Sequence, residues 1–109
     1  MEIQTAHRIL DAISDAIVEH IDEAYSAKVT VNLRTGSWTT LVLTAFAFDE
    51  DDELLLCEQI DFDAPELELA HFGQFIDEIK TYNVYDAEIT DDLVDRLRMA
   101  ISDAYEEAR

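Results

Sequence analysis

The sequence predicts an α+β domain with the order α-β-β-β-α-(β)-α. Its sheet is a three-stranded antiparallel meander, with the helices packed on one face. Three observations carry this. The N-terminal stretch repeats its apolar residues every three to four positions. The middle third switches to alternation and to β-branched and aromatic residues. The last third returns to helical spacing. With 109 residues the chain has room for one domain, taken as 1–109. Its apolar fraction of 49% is enough for a core, so its acidity does not signal disorder.

Residues 4–26 read as one long amphipathic helix. At about 100° per residue, Ala6, Ile9, Leu10, Ile13, Ala16, Ile17, Ile21 and Ala24 share one arc, while Asp11, Asp15, Glu19, Asp22 and Glu23 share the opposing one. Residues 28–34, "KVTVNLR", alternate as a half-buried strand does. "TGS" at 35–37 is a turn in which Gly36 can take φ > 0. Residues 38–48, "WTTLVLTAFAF", are apolar on both faces and suit a central strand. A charged loop, "DEDDE" at 49–53, leads to a third strand at 54–62, with Leu54, Leu56, Ile60 and Phe62 inward. Short links between successive strands imply an antiparallel meander.

Pro65 suits the first turn of a second helix over 66–80, whose buried stripe is Leu69, Phe72, Phe75, Ile76 and Ile79. Residues 81–89 are either a loop or a short edge strand. Thr90 caps a third helix, and Asp91 and Asp92 suit its positive end. Leu93, Val94, Leu97, Ala100, Ile101, Ala104 and Tyr105 form its core arc.

Charge is the outlier. Twenty-six acids against seven bases give −19, and no Lys or Arg occurs from Thr35 to Ile79. Such a surface repels nucleic acid and anionic membranes and attracts basic proteins. The first helix leaves its acids unpaired, although opposite charges four apart add a few tenths of a kcal/mol each. The third helix uses that pairing: Asp92 precedes Arg96 by four and Asp95 precedes Arg98 by three. Asp11, Asp15, Glu19, Asp22 and Glu23 therefore form a candidate partner-binding ridge. Asp49, Glu50, Asp51, Asp52 and Glu53 form a second acidic prong at a hairpin tip. The plain alternatives are a solvated helix face and a loop that discourages edge pairing. Carboxylates four residues apart rise about 6 Å along a helix, a linear anionic array comparable with the phosphates of DNA, about 3.4 Å apart along each strand.

Catalytic and cofactor patterns are missing. The chain has two glycines and no phosphate-cradling loop, nucleophile elbow or dinucleotide motif. His7, His20 and His71 lack zinc-ligand spacing, and Cys57 stands alone as a small hydrophobe. The run at 49–53 lacks the alternation and glycine of a calcium loop. We expect no enzyme activity, cofactor or metal. No apolar run is long enough to span a bilayer, no secretory leader is read at "MEIQTAHRIL", and one cysteine suits a reducing compartment. The expected location is cytoplasmic, the host cytoplasm if phage-encoded. Val18 and Tyr25 fall beside the acidic arc as candidate apolar anchors.

In order of elements and in acidity the chain resembles phage-encoded DNA-mimic inhibitors, and among them the anti-CRISPR proteins of the type II-A class. Members of that family show a first helix, a three-stranded meander and two further helices, and they occupy the DNA-binding site of the target nuclease. The likeness spans about 4–106 as architecture and charge, with no shared residue motif, so no functional residue is carried across. It implies an acidic inhibitor that blocks the nucleic-acid-binding site of a host defence complex, a CRISPR effector or similar, without binding nucleic acid itself. A symmetric dimer would lengthen the ridge, but the sequence shows no seam for one. The alternatives are a salt-adapted acidic adaptor and an immunity or antitoxin-type protein that neutralises a basic partner.

Overall fold

The structure, a computed structural model, describes residues 1–34, 40–82 and 90–108. Its elements run α1 (Ile3–His20), β1 (Ser26–Arg34), β2 (Thr40–Phe48), β3 (Leu54–Phe62), α2 (Leu69–Tyr82) and α3 (Asp91–Ala108). The strands form an open antiparallel sheet in the order β1-β2-β3. The expected α+β class and order of elements are therefore present. The turn at 35–37, Trp38 and residues 83–89 of the undecided 81–89 stretch lie outside the described residues. Thr81 and Tyr82 belong to α2.

Alternation sorts β2 between the two faces of the sheet. Leu41, Leu43, Ala45 and Ala47 point into the core, where they meet Ile9, Ile13 and Ile17 of α1, Phe72, Phe75 and Ile79 of α2, and Leu97 and Ile101 of α3. α1 packs on β1 and β2, α2 on β3, and α3 against α1 and α2, and all three contribute to the one core. Val42 and Thr44 are also buried but stay outside that cluster, on the other face with the stacked rings of Phe46 and Phe48, 6.3 Å apart. Alanine at 45 and 47 keeps that side of β2 thin within a cluster that also holds Phe72 and Phe75, a mixture of small and large that fills a core densely.

The structure corrects four expectations. First, α1 stops at His20, because Ile21 turns to extended backbone (φ −104, ψ 111). Asp22 and Glu23 therefore sit in a turn and not on the helix. Second, α2 begins at Leu69, so Pro65 precedes it, and Leu67 is buried in place of Leu69, which is 38% exposed. Third, β3 contains a bulge. Leu56 pairs with Ala47 and Leu54 with Phe48, which leaves Leu55 as the extra residue. Leu55 and Leu56 are buried while Leu54 is half-buried. Fourth, Arg98 pairs with Asp77 of α2 instead of Asp95, because Asp77 lies across the α2–α3 contact.

Other local expectations are met. Thr90 caps α3, its Oγ1 accepting the Leu93 N–H at 3.1 Å. Arg96 lies 3.9 Å from Asp92, one turn earlier. A pair not expected from the sequence joins Lys80, at the end of α2, to Asp91. Among the described residues no helix is long and apolar enough to cross a membrane.

Candidate functional site

α1 presents Asp11, Asp15 and Glu19 in a line because its core stripe lies on the opposite side. All three are exposed. At the end of the helix the chain reverses within four residues. The Ala24 N–H bonds to the Ile21 carbonyl at 3.0 Å, and the Tyr25 N–H to the Phe48 carbonyl at 2.8 Å. That second bond joins the helix exit to the last residue of β2. The turn carrying Asp22 and Glu23 is thereby set beside the β2–β3 tip.

The tip is held by its own first acid. Asp49 Oδ1 accepts the N–H groups of Asp51 and Glu53, each at 2.9 Å, and the Asp49 N–H bonds to the Glu53 carbonyl at 3.0 Å. Asp52 takes the left-handed conformation (φ 60) that closes the turn. Asp49 is half-buried, while Glu50, Asp51, Asp52 and Glu53 are exposed. One acid is spent on structure and four are presented. The helix-exit end of the ridge, at Asp22 and Glu23, is thus brought to the tip, while Asp11 and Asp15 lie farther back along α1.

None of these ten acids has a Lys or Arg ion-pair partner among the described residues. Within 4.0 Å of them the described basic side chain is His20, whose Nε2 lies 4.0 Å from Glu19. The cations in defined pairs are used elsewhere: Lys80 on Asp91, Arg98 on Asp77, Arg96 near Asp92 and the N-terminal amine on Glu66 at 2.8 Å. Among the described residues no arginine pairs with a site carboxylate, and all ten are exposed except the half-buried Asp49.

The ridge also has a neighbour that sequence reasoning missed. A groove of about 590 Å³ runs between α1 and α3, with Asp11, Asp15 and Glu19 on one wall and Asp103 and Glu107 on the other. Ala12, Ala16, Ala100 and Ala104 also line it. Met1 and Thr5 share a cleft with Tyr105 and Ala108, so the two helices run antiparallel. Arg8 therefore lies toward the Glu107 end of the groove and Arg96 toward the His20 end. The signal was the spacing of Arg96, Asp103 and Glu107, which fall on one helix face at seven- and four-residue steps. On the other flank, Lys28 of β1 borders a second groove with Asp11 and Asp15. Arg96 therefore borders the ridge near Glu19, and the acids that share none of these grooves with a Lys or Arg are those of the turn, Asp22 and Glu23, and of the tip. Tyr25, 68% exposed, stands between that turn and the tip, and Val18, 37% exposed, lies on the ridge's outer side.

Among the described residues no group of three or more His, Cys, Asp or Glu is arranged to hold a metal ion. Cys57 is a half-buried free thiol in β3. His20 closes the last turn of α1, and His71 lies in the first turn of α2. What the site offers chemically is fixed negative charge with an exposed aromatic ring in it. No protein-family model, curated protein or solved structure matches this chain.

Proposed function

We propose that the chain is an acidic DNA mimic. In this reading it binds a basic nucleic-acid-binding protein, such as a CRISPR effector or another host defence complex, and blocks the site where nucleic acid would lie. One observation carries the proposal. Glu19, Asp22, Glu23 and the exposed Glu50, Asp51, Asp52 and Glu53 of the tip gather at one end, without Lys or Arg partners among the described residues, on backbone that hydrogen bonds hold in place. A flexible acidic tail would lose conformational entropy on binding, whereas this array is ordered beforehand. Tyr25 supplies the desolvated anchor that charge alone lacks at a protein interface.

Tagged protein incubated at low salt with lysate of the host cell tests this, with and without excess duplex DNA. The expected result is a retained nucleic-acid-binding complex that duplex DNA displaces, and whose own DNA binding the protein inhibits. Retention should fall as salt rises, because the contacts are ionic. Failure to retain any such complex, or retention indifferent to DNA and salt, overturns the reading.

The salt-adapted adaptor has one observation in its favour. Exposed acids also occur away from this end, at Asp61, Asp63, Glu68 and Glu106. A halophilic domain needs molar KCl to fold. Cooperative unfolding of the protein at 0.1 M KCl, with a midpoint that molar salt raises only modestly, is the outcome expected of the mimic.

A further inference from the structure

We propose that His71 is a proton-operated cap that holds the segment before α2 in place only while its imidazole is neutral. Glu68 occupies the N-cap position of α2 and His71 the third helical position. The Glu68 N–H donates to His71 Nδ1 at 3.0 Å, and the His71 N–H bonds to the Glu68 carbonyl at 3.0 Å. The first bond is one half of a capping box, with imidazole where Glu or Gln usually stands, while the second closes the turn through the Glu68 backbone carbonyl instead of a side chain. The ring is steadied from β3 by Phe62, with ring centroids 4.5 Å apart.

The chemistry of the substitution sets the device apart. A carboxylate or amide accepts a hydrogen bond throughout the neutral range. Imidazole accepts at Nδ1 only when that nitrogen is unprotonated, so here the proton sits on Nε2. On protonation both ring nitrogens become donors, and the Glu68 N–H loses its acceptor. The charged groups of the surrounding elements are Asp61 and Asp63 at the end of β3, Glu66 and Glu68 on the segment itself, and Glu2 with the N-terminal amine at the start of α1. An imidazolium turned toward any of these carboxylates finds an alternative partner, so leaving the cap is favoured and not merely permitted. The segment so released is short and tied at three residues. Glu66 holds the N-terminal amine, Leu67 is buried, and Glu68 is held by the ring. It borders a cleft of about 540 Å³ with Glu2, Thr5 and Tyr105. Loss of the cap removes the tie nearest the helix and lets residues 66–68 open over that cleft.

Amide exchange and imidazole NMR on the full chain test this between pH 5 and 8. The neutral His71 ring should show the Nε2–H tautomer. Protection of the Glu68 amide should fall at least tenfold as pH drops, with the same midpoint as the His71 ring. His71→Gln keeps an acceptor that does not titrate, so its Glu68 protection should vary smoothly with pH, without that step. His71→Ala should leave the amide unprotected throughout. An Nδ1–H tautomer, or wild-type protection that ignores the ring's titration, overturns the proposal. A step that persists unchanged in His71→Gln does so too.

Discussion

Thr90 and Asp91 show how two adjacent residues set a helix start by different means. Thr90 Oγ1 satisfies an N–H that the first turn of α3 would otherwise leave unpaired. Thr90→Ala should destabilise the fold by about 1 kcal/mol, read as a lower urea midpoint at unchanged slope; no change would mean that solvent satisfies the turn equally well. Asp91 works through charge. Its carboxyl is held below the ordinary aspartate value, first by the hydrogen bond from Lys80 and second by that ammonium's charge. A pKa lower in the folded than in the unfolded state adds stability above the unfolded value, and that stability is lost as pH falls through the folded one. Carbon-detected titration should therefore give Asp91 a midpoint below the ordinary aspartate value, and Lys80→Gln should raise it toward that value. Both side chains are exposed, so added salt should shrink the effect. Asp49 illustrates the opposite use of a carboxylate. Its residue type was legible as part of an acidic run, but its duty as the acceptor that closes the tip was not.

At the scale of elements, the core stripes were readable and the ends were not. The 3.6-residue pattern of α1 holds from Ala6 to Ile17 because burial of that face is the dominant energy. Ile21 continues the spacing, yet it is buried from an extended conformation, and spacing alone cannot distinguish the two. A warning lay in Asp22 and Glu23, since carboxylates at a helix C-terminus oppose the dipole. The start of α2 was hidden because its cap is a histidine, a residue type that gives no capping signal. The β3 bulge was hidden because "LLL" at 54–56 offers no alternation to read. Closeness of the turn at 22–23 to the tip at 49–53 follows from the meander itself, since the start of β1 must pair with the end of β2. That inference was available once the strands were ordered. The α1–α3 contact was less accessible, because it depends on small residues meeting across antiparallel helices. Ala16 and Ala104 are both buried there. Ala104→Leu should overpack the contact and cost about 1–3 kcal/mol, measured by equilibrium unfolding. A cost under about 0.5 kcal/mol, within the usual range of surface substitutions, would show that the helices can separate freely at that point.

For the whole molecule, the question is whether position or total charge attracts a partner. A net −19 spread over a fold with a radius of gyration of 13.6 Å repels itself and attracts any polycation. Total charge alone therefore predicts weak, promiscuous binding. A mimic requires more, because the acids must stand where the partner expects phosphates. The two accounts separate under matched charge reversal. Asp15→Lys, Glu19→Lys and Glu23→Lys together change the net charge from −19 to −13. Asp61→Lys, Asp63→Lys and Glu68→Lys make the same change away from the acidic end, because β3 leaves the tip at Leu54 and reaches Asp61 near its other end. Relief of like-charge repulsion should leave both variants as stable as the parent or slightly more so. If the ridge and turn are read as a false phosphate backbone, the first variant should lose partner binding by at least a hundredfold, while the second loses less than tenfold, as measured by calorimetry at fixed salt. Equal losses would mean that the partner senses charge and not shape. In that case the order of Glu19, Asp22, Glu23 and the tip would be a consequence of folding with no part in recognition.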